Sequence, residues 1–411
     1  MNAVRKVIHL FLSILPFSQV IAIEDTGWSI HGLIDTTVYH EDAETSWLSG
    51  EMGKYRVGEG DNNVLLHSAN AVQYNLNLQS GFTIESAYHS DPNDRFGVTQ
   101  AFWHYKPLTK RPLRSQYRVG AFHVPISFEN RESLWQSIYT VSPSMLNTWV
   151  GEELRTIGVE GRWSWRPSKS NPHKFSFIAS AFGLNDSAGA MLAWRGWTAH
   201  NRQALLGETI SMPTLPVMQL GAPFEEQAPE FEPFVEVDNR IGYYTGLNWD
   251  YSNKIKLRYL YYDNRGDPLA IENGQYAWHT RFHHLGIKAK LAKNWTLVSQ
   301  YINGNTIMGP WAIDNDFMSA FLLVSRKFNH HRISARIEAF KVEDQDFLSV
   351  IDPNDEQGHR ATINYTFQLN NNWTSSVEAS QLRSDRDYRE LFGQQQRQTE
   401  NQALLQFGYR F

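Results

Sequence analysis

The 411-residue chain contains no cysteine. That excludes a disulfide framework, thiolate-bound zinc, iron–sulfur clusters and thiol catalysis. It has no run of 18 uninterrupted apolar residues beyond its N-terminal segment, so no transmembrane helix of about 20 residues is expected. With 38 Lys+Arg against 43 Asp+Glu and a net charge of -5, it lacks the basic footprint of a nucleic-acid binder, and no nucleic-acid partner is expected. There is no Gly-rich phosphate cradle and no His-Glu-x-x-His pair, so neither cofactor nor metal is expected. Aromatics, by contrast, are plentiful: 14 Trp, 18 Tyr and 23 Phe in a chain of mean hydropathy -0.47.

Arg5 and Lys6 precede an apolar stretch from Val7 to Ile21 that ends in Val20-Ile21-Ala22. A charged start, a short apolar middle and small residues before the break read as a secretory signal, residues 1–22, cleaved after Ala22. Pro16, Ser18 and Gln19 leave the stretch too short to anchor across ~30 Å of hydrocarbon. Loss of Arg5 and Lys6 leaves 36 basic against 43 acidic residues, a net charge of -7.

Residues 23–411 then read as one all-β domain. Ala403, Leu405, Phe407, Tyr409 and Phe411 alternate with Gln402, Leu404, Gln406, Gly408 and Arg410, a period of two that specifies a strand. The same dyad recurs in Ala361-Ile363-Tyr365-Phe367, Ile241-Tyr243-Thr245-Leu247-Trp249 and Ile333-Ala335-Ile337-Ala339. Short polar turns at Ser252-Asn253, Lys293-Asn294 and Asn370-Asn371-Asn372 join such runs. Trp295, Trp373 and Tyr251 border the turns, where an aromatic girdle would meet lipid headgroups. The pattern predicts a transmembrane antiparallel β-barrel of about sixteen strands, sixteen to eighteen, in the bacterial outer membrane.

Strands are expected at 27–40, 63–79, 81–90, 96–106, 115–127, 154–166, 173–184, 240–251, 254–263, 276–291, 294–304, 315–328, 330–343, 358–369, 372–383 and 399–411. The interval 185–239 is not strand-like. Its first part, 187–212, is rich in apolar residues and is expected to fold inward and narrow the lumen, with Trp194, Arg195 and Trp197 as constriction residues. Its second part, with Glu225-Glu226 through Glu236, is expected to be an external acidic loop.

Placing the apolar face of each strand outward turns Arg118, Arg162, Arg258, Arg336 and Arg360 inward, with Arg240, Arg281 and Arg332 beside them and Glu85, Glu160 and Glu338 on the same face. A charge on the lipid face at mid-bilayer costs about 2–4 kcal/mol, and rings of arginine admit anions. Small hydrophilic solutes, anionic ones among them, are therefore the expected cargo, although pairing with the glutamates is an equally good account of the arginines. Trp103, Tyr105, Tyr244 and Tyr262 could add an inward stacking track.

The run Arg118-Val119-Gly120-Ala121-Phe122-His123-Val124-Pro125-Ile126-Ser127-Phe128-Glu129 resembles a segment of the phosphate-selective porin O and P family. Trp149-Val150-Gly151-Glu152-Glu153-Leu154-Arg155-Thr156-Ile157-Gly158 is similar to a turn-to-strand segment of related proteobacterial porin-like proteins. The terminal Phe411 resembles the signal that the barrel assembly machinery reads. The resemblance implies a homotrimeric pore with in-folded loops, seated among outer-membrane lipids. This chain departs from the lysine-rich lumens of the phosphate-selective members.

A closed barrel serving as adhesin or assembly factor is the competing class. Catalysis is not expected: His283-His284, His330-His331 and Ser334 supply the residue types of an outer-membrane lipid hydrolase, but no Gly-x-Ser-x-Gly elbow is present. Asp263-Asn264-Arg265-Gly266-Asp267 resembles part of a calcium loop, yet Gly274 stands where its last acidic ligand belongs.

Overall fold

Each long strand pairs antiparallel with the next, and the last pairs with the first. The computed structural model describes residues 26–411 apart from 59–61, 91–94, 131–133, 169, 311 and 349; the expected signal segment 1–22 lies outside the described residues. Numbered along the chain, the strands are β1 (Gly27–Asp42), β2 (Asn62–Asn75), β3 (Ser80–His89), β4 (Arg95–Tyr105), β5 (Leu113–His123), β6 (Arg155–Trp165), β7 (His173–Gly183), β8 (Ile210–Ser211), β9 (Glu230–Phe231) and β10 (Gly242–Tyr251). They continue with β11 (Ile255–Asp263), β12 (Ile271–Glu272), β13 (Gln275–Tyr276), β14 (His279–Ala292), β15 (Trp295–Met308), β16 (Ile313–Phe328), β17 (His331–Asp344), β18 (Glu356–Gln368), β19 (Trp373–Arg386) and β20 (Arg397–Arg410). Apart from two small hairpins, β8–β9 and β12–β13, these form one closed sixteen-stranded barrel. Closure gives every wall strand two neighbours, which is what a sheet in lipid requires.

One end carries the tight turns. Asn253, Asn294 and Asn329 adopt φ of 54°, 69° and 50° there, left-handed conformations that asparagine tolerates and that two-residue hairpins need. The other end carries the long connections, and two of them, 124–154 and 184–241, enter the barrel. The first leaves the wall after His123, earlier than the expected strand 115–127, because Pro125 has no N–H to give to a ladder. Val124 and Ile126 are instead fully buried. Ser144 then caps the helix Met145–Glu153 by accepting from the Asn147 amide, and every residue of that helix is buried. Residues 149–158, expected as turn to strand, are thus helix to strand.

The hydrophobic core lies inside the barrel. Trp149 packs against Phe317, Phe282 and Trp197 with ring centroids 5.3, 5.6 and 5.9 Å apart. A second cluster gathers Met191, Trp194, Phe224, Trp278, Met308 and Tyr388 nearer the long-loop end. The outer wall shows the opposite pattern: Leu247, Ile337 and Ile363, all apolar, are about 60% exposed, as a lipid-facing surface should be.

Trp149→Ala is expected to remove about 3–5 kcal/mol of packing inside the barrel. Limited proteolysis of the folded protein should then cut within 124–154, while the barrel itself keeps its resistance to unfolding in SDS.

Candidate functional site

The interior is built from wall side chains that grip the two in-folded segments. Arg336 of β17 donates through Nε to Glu338 at 2.9 Å and through Nη1 to Glu129 at 2.5 Å and to Thr140 Oγ1 and the Ser142 carbonyl at 3.0 Å. Its Nη2 donates to the Pro143 carbonyl at 3.0 Å. Arg360 of β18 donates to Ser142 Oγ at 2.9 Å and Ser380 Oγ at 3.0 Å. Carboxylates complete the grip: Glu338 accepts from the Met145 amide at 2.7 Å, at the start of the helix, and Glu378 accepts from the Val141 amide at 2.7 Å. All these charges are buried, and each has opposite charge or backbone dipoles around it, the condition under which buried ions are tolerated.

Closer to the tight turns the interior opens. Arg258 donates to Asn248 Oδ1 at 2.6 Å and to the Pro125 carbonyl, and lies 4.6 Å over the Phe128 ring. Arg118 pairs with Glu160 at 2.8 Å, and Glu160 also accepts from the Tyr244 hydroxyl. Arg162 lines two adjoining cavities with Gln116. Beyond them a cavity of about 460 Å³ is lined by Lys110, Arg111, Arg114, Arg166, Lys174 and Lys256, with Asp250 the only acid among the described residues that line it. The register places Asp250 opposite both Lys174 and Lys256.

The long connection 184–241 closes the other end. Trp194 meets Trp278 edge to face at 4.9 Å. Arg195 makes a bidentate pair with Glu152, at 3.0 and 2.5 Å, and lies 4.3 Å over Trp47. Trp197 donates its amide to Glu356 at 2.9 Å and its indole N–H to the Lys341 carbonyl at 3.1 Å, and Glu356 also pairs with the buried Lys54. The stretch through Leu206 is almost wholly buried, whereas 219–240 is mostly exposed or half-buried.

Two arginines do not reach the lumen. Arg240 precedes β10, is exposed, and pairs with Asp267 at 2.5 Å on the rim. Arg281 lies on the outer face of β14 near its long-loop end, while its neighbours Thr280 and Phe282 are buried inward. Above the apolar band an outward arginine meets headgroups and water, so the mid-bilayer penalty does not apply. Arg332 does turn inward, donating to Ser325 Oγ at 3.0 Å. Trp103 and Tyr105 stack together on the outer face at 5.9 Å; only Tyr244 and Tyr262 of the expected track are buried inside.

The hydrolase residue types are scattered: His283 bonds Tyr259, His284 bonds Gln300, and Ser334 donates to Ser325. In the calcium-like fragment Asp263 accepts from His279 at 3.1 Å. Among the described residues, Asp186, Glu236 and Asp238 bring three carboxylate oxygens within 4.8 Å of one another. They are donor atoms a hard cation could use, but Asp186 already accepts from the Val237 amide at 2.8 Å and Glu236 from the Leu184 amide at 2.7 Å. Sequence reasoning passes over Glu129, Glu152, Glu153, Glu356 and Glu378, because nothing in a period-two pattern shows which glutamates an in-folded segment will meet.

Comparison with known proteins agrees with this geometry. Residues 233–411 match the profile of the family described as "Putative beta-barrel porin-2, OmpL-like". The fold is that of a bacterial outer-membrane porin. The outer-membrane channel DcaP of Acinetobacter baumannii superposes with a TM-score of 0.55 at 8% identity, covering 97% of this chain and 100% of that one. A loop-deletion form of the outer membrane protein OmpT of Vibrio cholerae gives 0.55 at 8% identity, with 94% and 100% covered. OmpF of Salmonella typhi in complex with daunomycin gives 0.51 at 10% identity, with 94% and 98% covered. No curated protein matches the chain in sequence. The likeness holds for outer-membrane porins as a class, and with the apolar outer wall it assigns the barrel to the outer membrane.

The packed interior makes two outcomes testable. Arg336→Met leaves Glu129 buried without its cation and Glu338 with Arg360 alone, at 3.6 Å, a loss of about 3–5 kcal/mol, and should raise single-channel conductance as 124–154 loosens; a conductance equal to that of the parent protein would refute it. Burial, reinforced by Glu236 and Asp238, pushes Asp186 up to about 7, above the unfolded value of ~3.9. Folding therefore takes up a proton, and the associated stability is full below ~4 and lost as pH rises through about 7. Protection against hydrogen exchange in 185–239, after division by the intrinsic base-catalysed rate at each pH, should fall between pH 5 and 8, and Asp186→Asn should remove that fall.

Proposed function

We propose that the chain is an outer-membrane porin through which small hydrophilic solutes diffuse passively, with a preference for anions. Solute enters between the long loops, passes a constriction formed by 124–154 together with Trp194, Arg195 and Trp197, and leaves past Arg162, Arg118 and Arg258. The observation that carries the anion preference is the cavity near the tight turns, where six basic side chains surround one acid. Rings of this sign admit anions, and their field raises local anion concentration. Arg336, Arg360 and Glu338 hold the in-folded segments and have no share in selecting ions.

In this reading residues 1–22 direct export, Phe411 marks the barrel for assembly, and the working unit is a homotrimer; OmpT of Vibrio cholerae, which shares the fold, has a trimer form. Diffusion through such a barrel needs no chemistry, and the scattered Ser and His side chains fit a non-enzymatic channel. A second reading, a closed barrel acting as adhesin or assembly factor, is favoured by the two apolar clusters that fill the lumen.

Planar-bilayer recording separates the two. Ion conductance by purified protein supports the porin, and its complete absence overturns it. In a salt gradient the reversal potential should have the sign of anion preference, and replacing Arg114, Lys174 and Lys256 together by Gln should move it toward zero. If the potential is unchanged, the cationic cavity does not select.

A further inference from the structure

The charges of the barrel are sorted by end. The tight turns hold Lys106, Lys110, Arg111, Arg166, Lys254 and Lys293 and no Asp or Glu, whereas the long connections of the other end carry Glu225, Glu226, Asp346, Asp355, Asp387 and Glu390. The short turns of an outer-membrane barrel face the periplasm, so the basic end does. On the inner face beside those turns the cations continue as an arc. It runs from Arg166, just past β6, through Lys174 of β7, Lys256 of β11 and Lys288 of β14 to Lys327 of β16 and Arg332 of β17. Arg166, Lys174 and Lys256 line the cavity of about 460 Å³. Lys288 turns its Nζ to the Phe128 carbonyl at 3.4 Å, and Arg332 reaches Ser325 on the inner wall. Among the described residues of this arc Asp250 alone is acidic.

Deeper in the lumen arginines are matched by glutamates, as Arg118 is by Glu160 and Arg336 by Glu129 and Glu338. In the arc the register sets like against like: Lys256 stands directly opposite Lys288, and Lys327 opposite Arg332. Directly opposed like charges destabilise a sheet, so folding alone gives no reason to collect them here. Lipid headgroups do not relieve them, because these side chains turn into the mouth.

We infer that this arc is a docking surface for an extended acidic polypeptide segment of a periplasmic partner. The inference goes beyond the passage of small anions, with which it shares Lys174 and Lys256, and it needs no conductance. The arc crosses eight neighbouring strands, from β6 to β17, roughly 34 Å at ~4.8 Å per strand. One small solute covers only a fraction of that length. The cations fall on neighbouring strands or on every second one, about 5–10 Å apart, and an extended polypeptide presents same-side carboxylates every ~6.7 Å. About ten residues reach from one end of the arc to the other. Nucleic acid fits less well: each strand carries a charge every ~3.4 Å and docks on aromatic platforms, and no aromatic side chain is among the described residues that line the cavity.

Fluorescence anisotropy of labelled deca-glutamate with refolded protein in detergent tests this at low salt. The peptide should bind one to one, several-fold tighter than tetra-glutamate and about as tightly as a 16-residue chain that overhangs the arc, and salt should weaken it steeply. Lys254, Lys290 and Lys327 are exposed; changing all three to Gln should weaken binding about tenfold. Removing three exposed charges at the other end, Arg240, Arg383 and Arg397 to Gln, should leave it unchanged. Equal affinity for tetra- and deca-glutamate, or equal loss in the two triple variants, overturns the arc. Tighter binding of soluble cell-wall fragments or polyphosphate at equal charge overturns the polypeptide as its occupant. Bilayer recording on the same preparation keeps the readings apart: binding without conductance overturns the porin and leaves the arc, and conductance without binding does the reverse.

Discussion

Everything in this molecule depends on the pairing of β1 with β20. Without that seam the wall would have two edges, each a row of unpaired amides and carbonyls in a medium that offers no hydrogen bonds. The register runs from Leu33 opposite Arg410 to Asp42 opposite Asn401, and at its lower end the Gly32 and Phe411 backbones exchange bonds at 3.0 and 3.1 Å. Gly32 is needed there, since a Cβ would come within 2.7 Å of the Phe411 ring. With the backbone committed to the ring, side chains alone decide what each face meets.

The strict alternation that follows creates an interior problem. Half of every strand points into a space wide enough for water, and the chain fills much of it with its own segments. Those segments bring backbone carbonyls and amides with them, which need partners. Arg336, Arg360, Arg386 and Gln300 supply donors to the carbonyls, and Glu338, Glu356 and Glu378 accept from the amides. A mixed-sign wall is therefore the expected lining for a barrel that holds loops, because a folded-in segment presents both kinds of backbone group.

This explains why the barrel is legible in sequence and the site only partly so. Period-two alternation and asparagine turns are local, and all sixteen strands lie within a few residues of the expected ranges. Trp194, Arg195 and Trp197 are legible as inward-folding because Leu205, Leu206 and Met191 are too apolar for a solvated loop. The entry of 124–154 is not, since Val124, Pro125 and Ile126 continue the strand's composition and only the missing Pro125 N–H marks the departure. Arg281 departs from expectation because alternation gives a face but no depth. Its outward position is harmless above the apolar band, and the period alone cannot say where that band ends.

Depth also reconciles the acidic net charge with a cationic passage. The wall arginines at mid-depth are matched by glutamates that the in-folded segments require, so they add little field. Nearer the tight turns the in-folded segment reaches the lining through Phe128, and among the described residues there Asp250 alone is acidic, facing Lys174 and Lys256. The excess of acid sits on exposed connections such as Glu225, Glu226 and Glu230, where water and salt screen it over about 8–10 Å. Ions crossing the barrel meet the local sign inside a low-dielectric wall, where charge acts most strongly, and that sign is set by which stretches of the wall must hold a loop and which are left free of one.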